Sequence, residues 1–380
     1  MDFKLTQENE QVRELARNFA QTEIKPVVMK FDEAQEFPLE LMRKLGSLGF
    51  LGVTVPEMYG GAALSYVDYC SIVEEISRVD PSIGLSVAAH NGLCTAHIYN
   101  FAGEAVKRRY LHDLASGRKI GAWGLTEPSS GSDSGSMRTV AIRDGDYYML
   151  NGSKQFTTHG SVADIIVVMA LTDPVRKKKG ISAFVFEKGT PGFTVGHKEN
   201  KLGMRASDTS TLILENLRIH KENLVGSEGE GFTQALQVLD SGRIGIAALA
   251  VGLAQGALDA SVKYACERVQ FGKTLSEFQA IQWKISEMST RISAARLLTY
   301  KAAFLKDSGK DINLSAATAK YFASETAVTC AEEAVQIHGG YGFIKDFPVE
   351  KFYRDVKLLT IGEGTSEIQK MVISRNLLDI

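Results

Sequence analysis

Cysteine is scarce in this chain. Cys70, Cys94, Cys266 and Cys330 lie far apart with no C-x-x-C pair, which excludes a disulfide framework and a paired-cysteine zinc site and points to a reducing compartment. No metal is expected. Proline is scarce too, and none falls between Pro191 and Pro348, so nothing interrupts long helices there. An excess of one charge is also lacking: 43 Lys and Arg face 45 Asp and Glu, a net charge of −2. That balance gives nucleic acid no basic stripe, and Arg176-Lys177-Lys178-Lys179 reads as a solvated loop. No uncharged stretch approaches the roughly 18 apolar residues of a membrane span. The opening MDFKLTQENEQVREL is charged and amphipathic, without the apolar centre of a signal peptide. The expectation is a cytoplasmic protein, or a matured organellar one, that engages neither membrane nor nucleic acid.

What is present suits a large core: 380 residues, 44% hydrophobic and 23% charged, enough for two or three domains. Apolar residues Val12, Leu15, Ala16, Phe19 and Ile24 recur at helical spacing until Pro26, predicting a helix over 5–25. Further helices are predicted over 39–48, 66–79, 83–101 and 104–116, divided by Pro56, Gly60-Gly61 and Asp80-Pro81. The segment 82–100 is apolar nearly all round and should be buried, with His90, Asn91 and His97 set into it and the two histidines as hydrogen-bonded core residues. After Gly121 short β-branched and aromatic runs take over, at 146–151, 165–172, 182–187, 192–197 and 211–217. No helical runs separate them, so an antiparallel barrel or sandwich is expected rather than a parallel sheet. Long helical periodicity returns over 232–268, 276–307, 315–338 and 365–378. The fold class is therefore α+β: an N-terminal helical domain (1–119), a middle β domain (120–228) and a C-terminal four-helix bundle (229–380).

Chemistry concentrates in FYRDVKLLTIGEGTSEIQKMV, residues 352–372. Gly362 and Gly364 flank Glu363, allowing a sharp turn and close ligand approach, and Thr365 and Ser366 can cap the helix that follows. Glu363 is a candidate general base. The same tripeptide also fits a plain surface turn between helices. Ser129 to Gly135 has a look of G-x-S-x-G, yet no strand-turn-helix context surrounds it, so a hydrolase nucleophile is not indicated.

The 352–372 segment resembles the catalytic-base segment of the acyl-CoA dehydrogenases, and WGLTEPSSGSD (123–133), RVQFGK (268–273) and QIHGGYG (336–342) match that family in order and spacing. The likeness spans essentially the whole chain. It implies FAD as cofactor and an acyl-CoA thioester as substrate, with the acyl-CoA dehydrogenase fold. It places Trp123, Leu125 and Thr126 at the flavin ring, and Ser132 at FAD phosphate or CoA. Phe156, where relatives more often carry Trp, would shield the ring, with Thr158 near flavin N5. Asp240 and Arg243 would line the CoA channel, Gly362 and Gly364 the pocket wall, and Asn91, on the helix that borders the acyl pocket in relatives, would be a pocket residue. Arg268, Phe271, Gln279, Gln336, Gly339 and Gly340 would reach FAD of a neighbouring subunit in a homotetramer, while Thr365 and Glu367 cap the FAD side of the turn. Some branched-chain members carry their glutamate where this chain has Gly242, so the resemblance assigns the base to Glu363.

The implied reaction is α,β-desaturation, with electrons passing on to an electron-transferring flavoprotein. Most relatives have Tyr before the catalytic glutamate. Gly362 in its place suggests room for a branched or alicyclic acyl group such as cyclohexanecarboxyl, with straight butyryl-CoA as the alternative. Glutaryl-type relatives hold an arginine on the buried helix where Ser86 stands here, which argues against decarboxylation. A catalytically silent CoA- or nucleotide-binding relative, and an oxygen-using oxidase on the same scaffold, are the rivals from other classes.

Overall fold

The computed structural model describes residues 4–378. The N-terminal part holds α1 (Gln7–Phe19), α2 (Val28–Ala34), α3 (Leu39–Ser47), α4 (Tyr66–Ser77), α5 (Pro81–Ala89), α6 (Ala96–Phe101) and α7 (Glu104–Ala115). Thr6 and Ser65 start α1 and α4 with reciprocal capping boxes, and Asp80 caps α5 through Ile83 N just ahead of Pro81. The predicted helix over 5–25 is tightest through α1 and then widens into a π turn at Ala20–Ile24. The 83–101 helix likewise contains a π turn, His90–Thr95, between α5 and α6. Helix α2 was not expected; it carries no side-chain cap that would announce it.

The middle part contributes β1 (Gly121–Gly124), β2 (Val140–Asp144), β3 (Tyr147–Thr158), β4 (Ile165–Leu171), β5 (Ile181–Glu187), β6 (Phe193–Lys198), β7 (Thr209–His220) and β8 (Leu224–Val225). They form one sheet in the order β6-β7-β3-β2-β4-β5-β8, with β1 pairing β4. Most pairs are antiparallel, as expected, but β1 and β2 both run parallel to β4. Those two parallel pairings correct the purely antiparallel reading. Strand β1 is only four residues long, begins and ends with glycine and is buried throughout, so it shows no alternation in the sequence.

Helices α8 (Gly231–Glu267), α9 (Gln279–Asp307), α10 (Asn313–His338), α11 (Val349–Val356) and α12 (Ser366–Leu378) follow, with a small hairpin of β9 (Val269–Gln270) and β10 (Lys273–Thr274) after α8. The bundle is α8, α9, α10 and α12, with α10 touching all the others. Helix α8 is long and apolar enough to cross a bilayer by length and composition, yet most of its apolar stretch is buried in protein. Its apolarity serves the core, and Asp240, Arg243, Asp259 and Lys263 leave no uncharged stretch of 18 residues in it.

The two helical parts are not separate hydrophobic units. One core runs from Ala16 and Met42 through Ile72 and Ile83 to Leu249, Ala323 and Leu359, because α4 and α5 pack on α8. Glycines make that packing close: a Cβ at Gly252 would strike the Glu74 carbonyl, and one at Gly245 the Tyr69 hydroxyl. The sheet keeps its own core around Leu150, Val168 and Phe184.

Candidate active site

A cleft of about 1230 Å³ runs between the sheet and the bundle. Its β wall presents Trp123, Leu125, Thr126, Ser132, Phe156 and Thr158. Its helical wall presents Asp240 and Arg243 from α8, and Gly362 to Thr365 from the turn before α12. Twelve residues singled out from four distant stretches thus meet around one space.

The turn is built to expose Glu363. Ile361 N and Gly362 N close on Leu358 O at 2.9 and 2.7 Å, and the backbone then enters the left-handed region at Glu363 (φ 52°) and Gly364 (φ 92°). Only glycine adopts that conformation without cost, so Glu363 must be held there. Lys320 Nζ donates to Gly364 O at 2.7 Å and Gln369 Nε2 donates to the same oxygen at 2.9 Å. Ser366 Oγ donates to Glu325 Oε1 at 2.6 Å, tying the start of α12 to α10.

The side chain of Glu363 reaches α8 and ends with Oε2 buried and without a hydrogen-bond partner. It rests against Gly242, where a Cβ would overlap Oε2. Burial pushes its carboxyl up to about 7, against the opposing pull of Lys320 and Arg243. Among the described residues, Glu363 N–H has no acceptor. Arg243 is 5% exposed and paired to Asp240 Oδ1 at 2.6 Å, leaving its Nε unpartnered, while Asn313 Nδ2 also donates to Asp240 Oδ1.

Opposite this carboxylate the β wall is equally constrained. Phe156 has φ 55° at a register shift of β3 against β7, which turns its ring, 63% exposed, toward the cleft. Gln155 N donates to Thr126 O at 2.8 Å, fastening β3 to the 125–133 loop. Buried Lys154 donates to Glu127 Oε1 at 2.7 Å and to Leu125 O at 3.3 Å, while Glu127 accepts from Thr139 N at 3.0 Å. Trp123 Nε1 donates to His97 Nδ1 at 2.9 Å, and His97 Nε2 therefore carries the proton toward Gln234 Oε1 at 3.0 Å. His90 sits between Leu114 O and Gly121 N. Both histidines are bonded core residues, as the sequence suggested.

Asn91 is a correction. It lies outside the cleft lining, and its amide donates to Phe50 O and Val87 O at 2.9 Å while its oxygen accepts Val53 N at 3.0 Å. Those bonds close the π turn and the 50–53 segment, so a polar residue on an apolar helix was needed for backbone and not for ligand. Glu367 is exposed and not part of the lining. Arg268, Gly339 and Gly340 line a second, more open groove of about 560 Å³, while Phe271, Gln279 and Gln336 are exposed and line neither space. Phe271 is 95% exposed. Residues overlooked in the sequence are the apolar end of the cleft, Leu85, Ala89, Leu93 and Ile246, and Lys320 behind the turn. Lys320 had a signal: it interrupts the alanine face of α10 at 316, 319, 323 and 327.

The fold and cleft define an enzyme that brings a partly buried carboxylate of raised proton affinity up to a wide, mostly apolar slot. Profiles of the acyl-CoA dehydrogenase N-terminal, middle and C-terminal domains match residues 6–118, 122–217 and 229–378. A short-chain-specific acyl-CoA dehydrogenase of Clostridium acetobutylicum is 48% identical over 98% of this chain and 99% of its own. The butyryl-CoA dehydrogenase structure from Megasphaera elsdenii superposes with a TM-score of 0.98 at 43% identity, covering both chains fully. A chain from structural work on the electron transferring flavoprotein of Acidaminococcus fermentans and flavin-based electron bifurcation gives 0.99 at 46%, again over both full chains. This chain belongs to the acyl-CoA dehydrogenase family and is an FAD-dependent acyl-CoA dehydrogenase.

The residues present fit that cofactor. The 131–135 stretch supplies small polar groups to the cleft, Phe156 and Trp123 supply apolar faces, and the paired glycines 339 and 340 have nothing within 4 Å of where a Cβ would stand.

Proposed function

We propose that the chain desaturates a straight short-chain acyl-CoA of the butyryl class, with Glu363 as the base that takes the α-proton. The observation that carries this is the unpartnered Glu363 carboxylate oxygen, raised to about 7 and seated against Gly242 beside the cleft. A base titrating near neutrality combines a useful ionised fraction with real proton affinity. FAD, when bound, supplies the acceptor for the β-hydride. The α-proton of a thioester is too weakly acidic for a carboxylate unless the carbonyl oxygen is held by donors as it gains charge, and the free N–H of Glu363 is the protein's donor of choice. Arg243 and Asp240 serve the CoA side of the cleft, and Trp123, Leu125, Thr126, Ser132, Phe156, Thr158 and Thr365 the cofactor side.

The butyryl reading replaces the branched or alicyclic one. Room at Gly362 was its argument, but a Cβ there would stand in ordinary contact with Leu358 Cδ1 at 3.4 Å, so the geometry at this position favours neither acyl class. The short-chain and butyryl specificities of the similar proteins are what favour the straight chain. Ser86 bonds Ser82 O and Ser207 Oγ, with no arginine there for a distal carboxylate. A homotetramer, completed by half-buried Arg268 and the exposed Phe271, Gln279, Gln336 and Gly339-Gly340, and an electron-transferring flavoprotein as acceptor belong to the same proposal.

The test mixes FAD-loaded protein anaerobically with butyryl-, isobutyryl- and cyclohexanecarboxyl-CoA and follows flavin bleaching. Butyryl-CoA should bleach fastest, and Glu363→Gln should not bleach at all. Normal bleaching in Glu363→Gln refutes the base, and a preference for the cyclic thioester refutes the substrate.

A further inference from the structure

Lys320 is fully buried on α10 and belongs to no wall of the cleft. Its ammonium donates to one neutral partner, Gly364 O at 2.7 Å, and among the described residues no carboxylate lies within ion-pair distance of it. Burying a cation without a direct ion-pair partner is costly, and a Leu or Met would fill an alanine-lined helix face at no such cost. The charge therefore has to be explained by what it faces, and it faces the Glu363–Gly364 turn.

We propose that Lys320 is a positioning residue for Glu363: it pins the left-handed peptide that follows the base and supplies a positive field that favours the carboxylate form of the base. This rests on the reading of Glu363 as base. Two links support it. Glu363 Oε2 has no hydrogen-bond partner of its own, so its ionised form depends on field more than on direct bonds. Of the two cations that pull its carboxyl down, Lys320 exerts the stronger effect, and Arg243 is already paired to Asp240.

The groups around the pair are few. Glu363 is faced by Arg243 and the Asp240 paired to it on α8, by Lys320 on α10 and by the Tyr69 phenol on α4. Lys320 is faced by Glu363, by Arg243, by Glu325 on its own helix and by Glu367 on α12. Burial brings the Lys320 ammonium down to about 8, against the pull of Glu363, so it is charged through the neutral range. Removing that charge raises the proton affinity of Glu363, because an opposite charge nearby favours the ionised form.

The experiment measures kcat/KM with butyryl-CoA from pH 5.5 to 9 in FAD-loaded wild type, Lys320→Met and Lys320→Arg. A lost cation moves the acid limb of Lys320→Met upward by roughly one unit, the lower end of a nearby-charge effect. At pH 7 that is about a fivefold loss, recovering to within twofold at pH 9. Lys320→Arg keeps the wild-type limb. A second readout needs no turnover: the Glu363 carboxyl resonance in ¹³C-glutamate protein, assigned by its loss in Glu363→Gln, titrates higher in Lys320→Met. Lys320→Gln, which keeps a donor for Gly364 O, carries the same expectation should the Met variant fail to fold. A lower melting temperature with an unmoved limb and resonance overturns the proposal, as does an Arg variant shifted like the Met variant. Full turnover in Glu363→Gln would instead sink the base assignment, so the two failures are distinguishable.

Discussion

Gly242→Ala separates stability from catalysis at one atom. Position 242 lies inside α8, where alanine is favoured over glycine by about 1 kcal/mol, and the backbone φ there is ordinary helix. The new methyl would overlap Glu363 Oε2, while its other neighbour, Leu93 Cδ2 at 3.5 Å, is in normal contact. Oε2 is the end of a flexible side chain with no hydrogen bond to lose, so the carboxylate yields and the helix does not. The displacement needed is on the order of 1 Å, and a misplacement of that size costs about 100-fold in rate, or about 2.7 kcal/mol of barrier. Melting temperature and FAD absorbance should hold or rise slightly while flavin bleaching by butyryl-CoA slows by that factor. Gly252→Ala on the same helix is the contrast, because its methyl meets the Glu74 carbonyl and backbone must move, costing about 1–3 kcal/mol of stability. A Gly242→Ala enzyme bleaching at the wild-type rate would show that the seat against α8 is irrelevant to proton removal.

Two further outcomes follow from the buried polar groups. Lys154→Met leaves Glu127 charged, buried and deprived of its cation, at a cost of about 3–5 kcal/mol; melting and FAD retention should both fall, and adding Glu127→Gln should restore part of each, whereas a loss below about 1 kcal/mol would make the pair incidental. Burial lowers His97 to about 4 and His90 to about 3, so each folded pKa lies below its unfolded value. The stability they lend is complete above the unfolded pKa near 6.5 and is lost as pH falls toward 4 for His97 and toward 3 for His90, each histidine steepening acid unfolding by up to about 1.4 kcal/mol per pH unit. His97→Gln should remove one proton from that dependence, measured by denaturant unfolding between pH 4 and 7, and an unchanged slope would refute the account.

Long-period elements were legible in the sequence because burial imposes a period. Helices α8 to α10 and strands β4 and β5 were all anticipated from spacing and apolar runs. What escaped was fixed by partners far along the chain. Strand β1 exists because β4 lies beside it, and nothing in Gly121-Ala122-Trp123-Gly124 alternates. Asn91 was misassigned because a polar residue on a buried helix can serve ligand or backbone alike, and only the positions of Phe50 and Val53 decide. Lys320 was passed over for the opposite reason: a lone lysine on a long helix is ordinarily solvated, and its burial depends on the turn that α12 brings over it. Glu363 could be singled out because its flanking glycines are a local signature.

The backbone carries a mark of the site that composition does not. Residues other than glycine with positive φ number nine among those described, and Phe156, Met204 and Glu363 among them line the one cleft. Each costs on the order of 1–3 kcal/mol unless its surroundings compel it. Each has such a restraint at hand: Gln155 N on Thr126 O beside Phe156, Asp355 Oδ1 accepting Met204 N, and Lys320 with Gln369 on the Gly364 carbonyl after Glu363. The three restraints come from the loop after β1, from α11, and from α10 with α12. An apolar ring and a carboxylate are thus aimed into the same slot by elements that would be more stable without the aiming, and relaxing any one restraint should release strain locally while it disorders the slot.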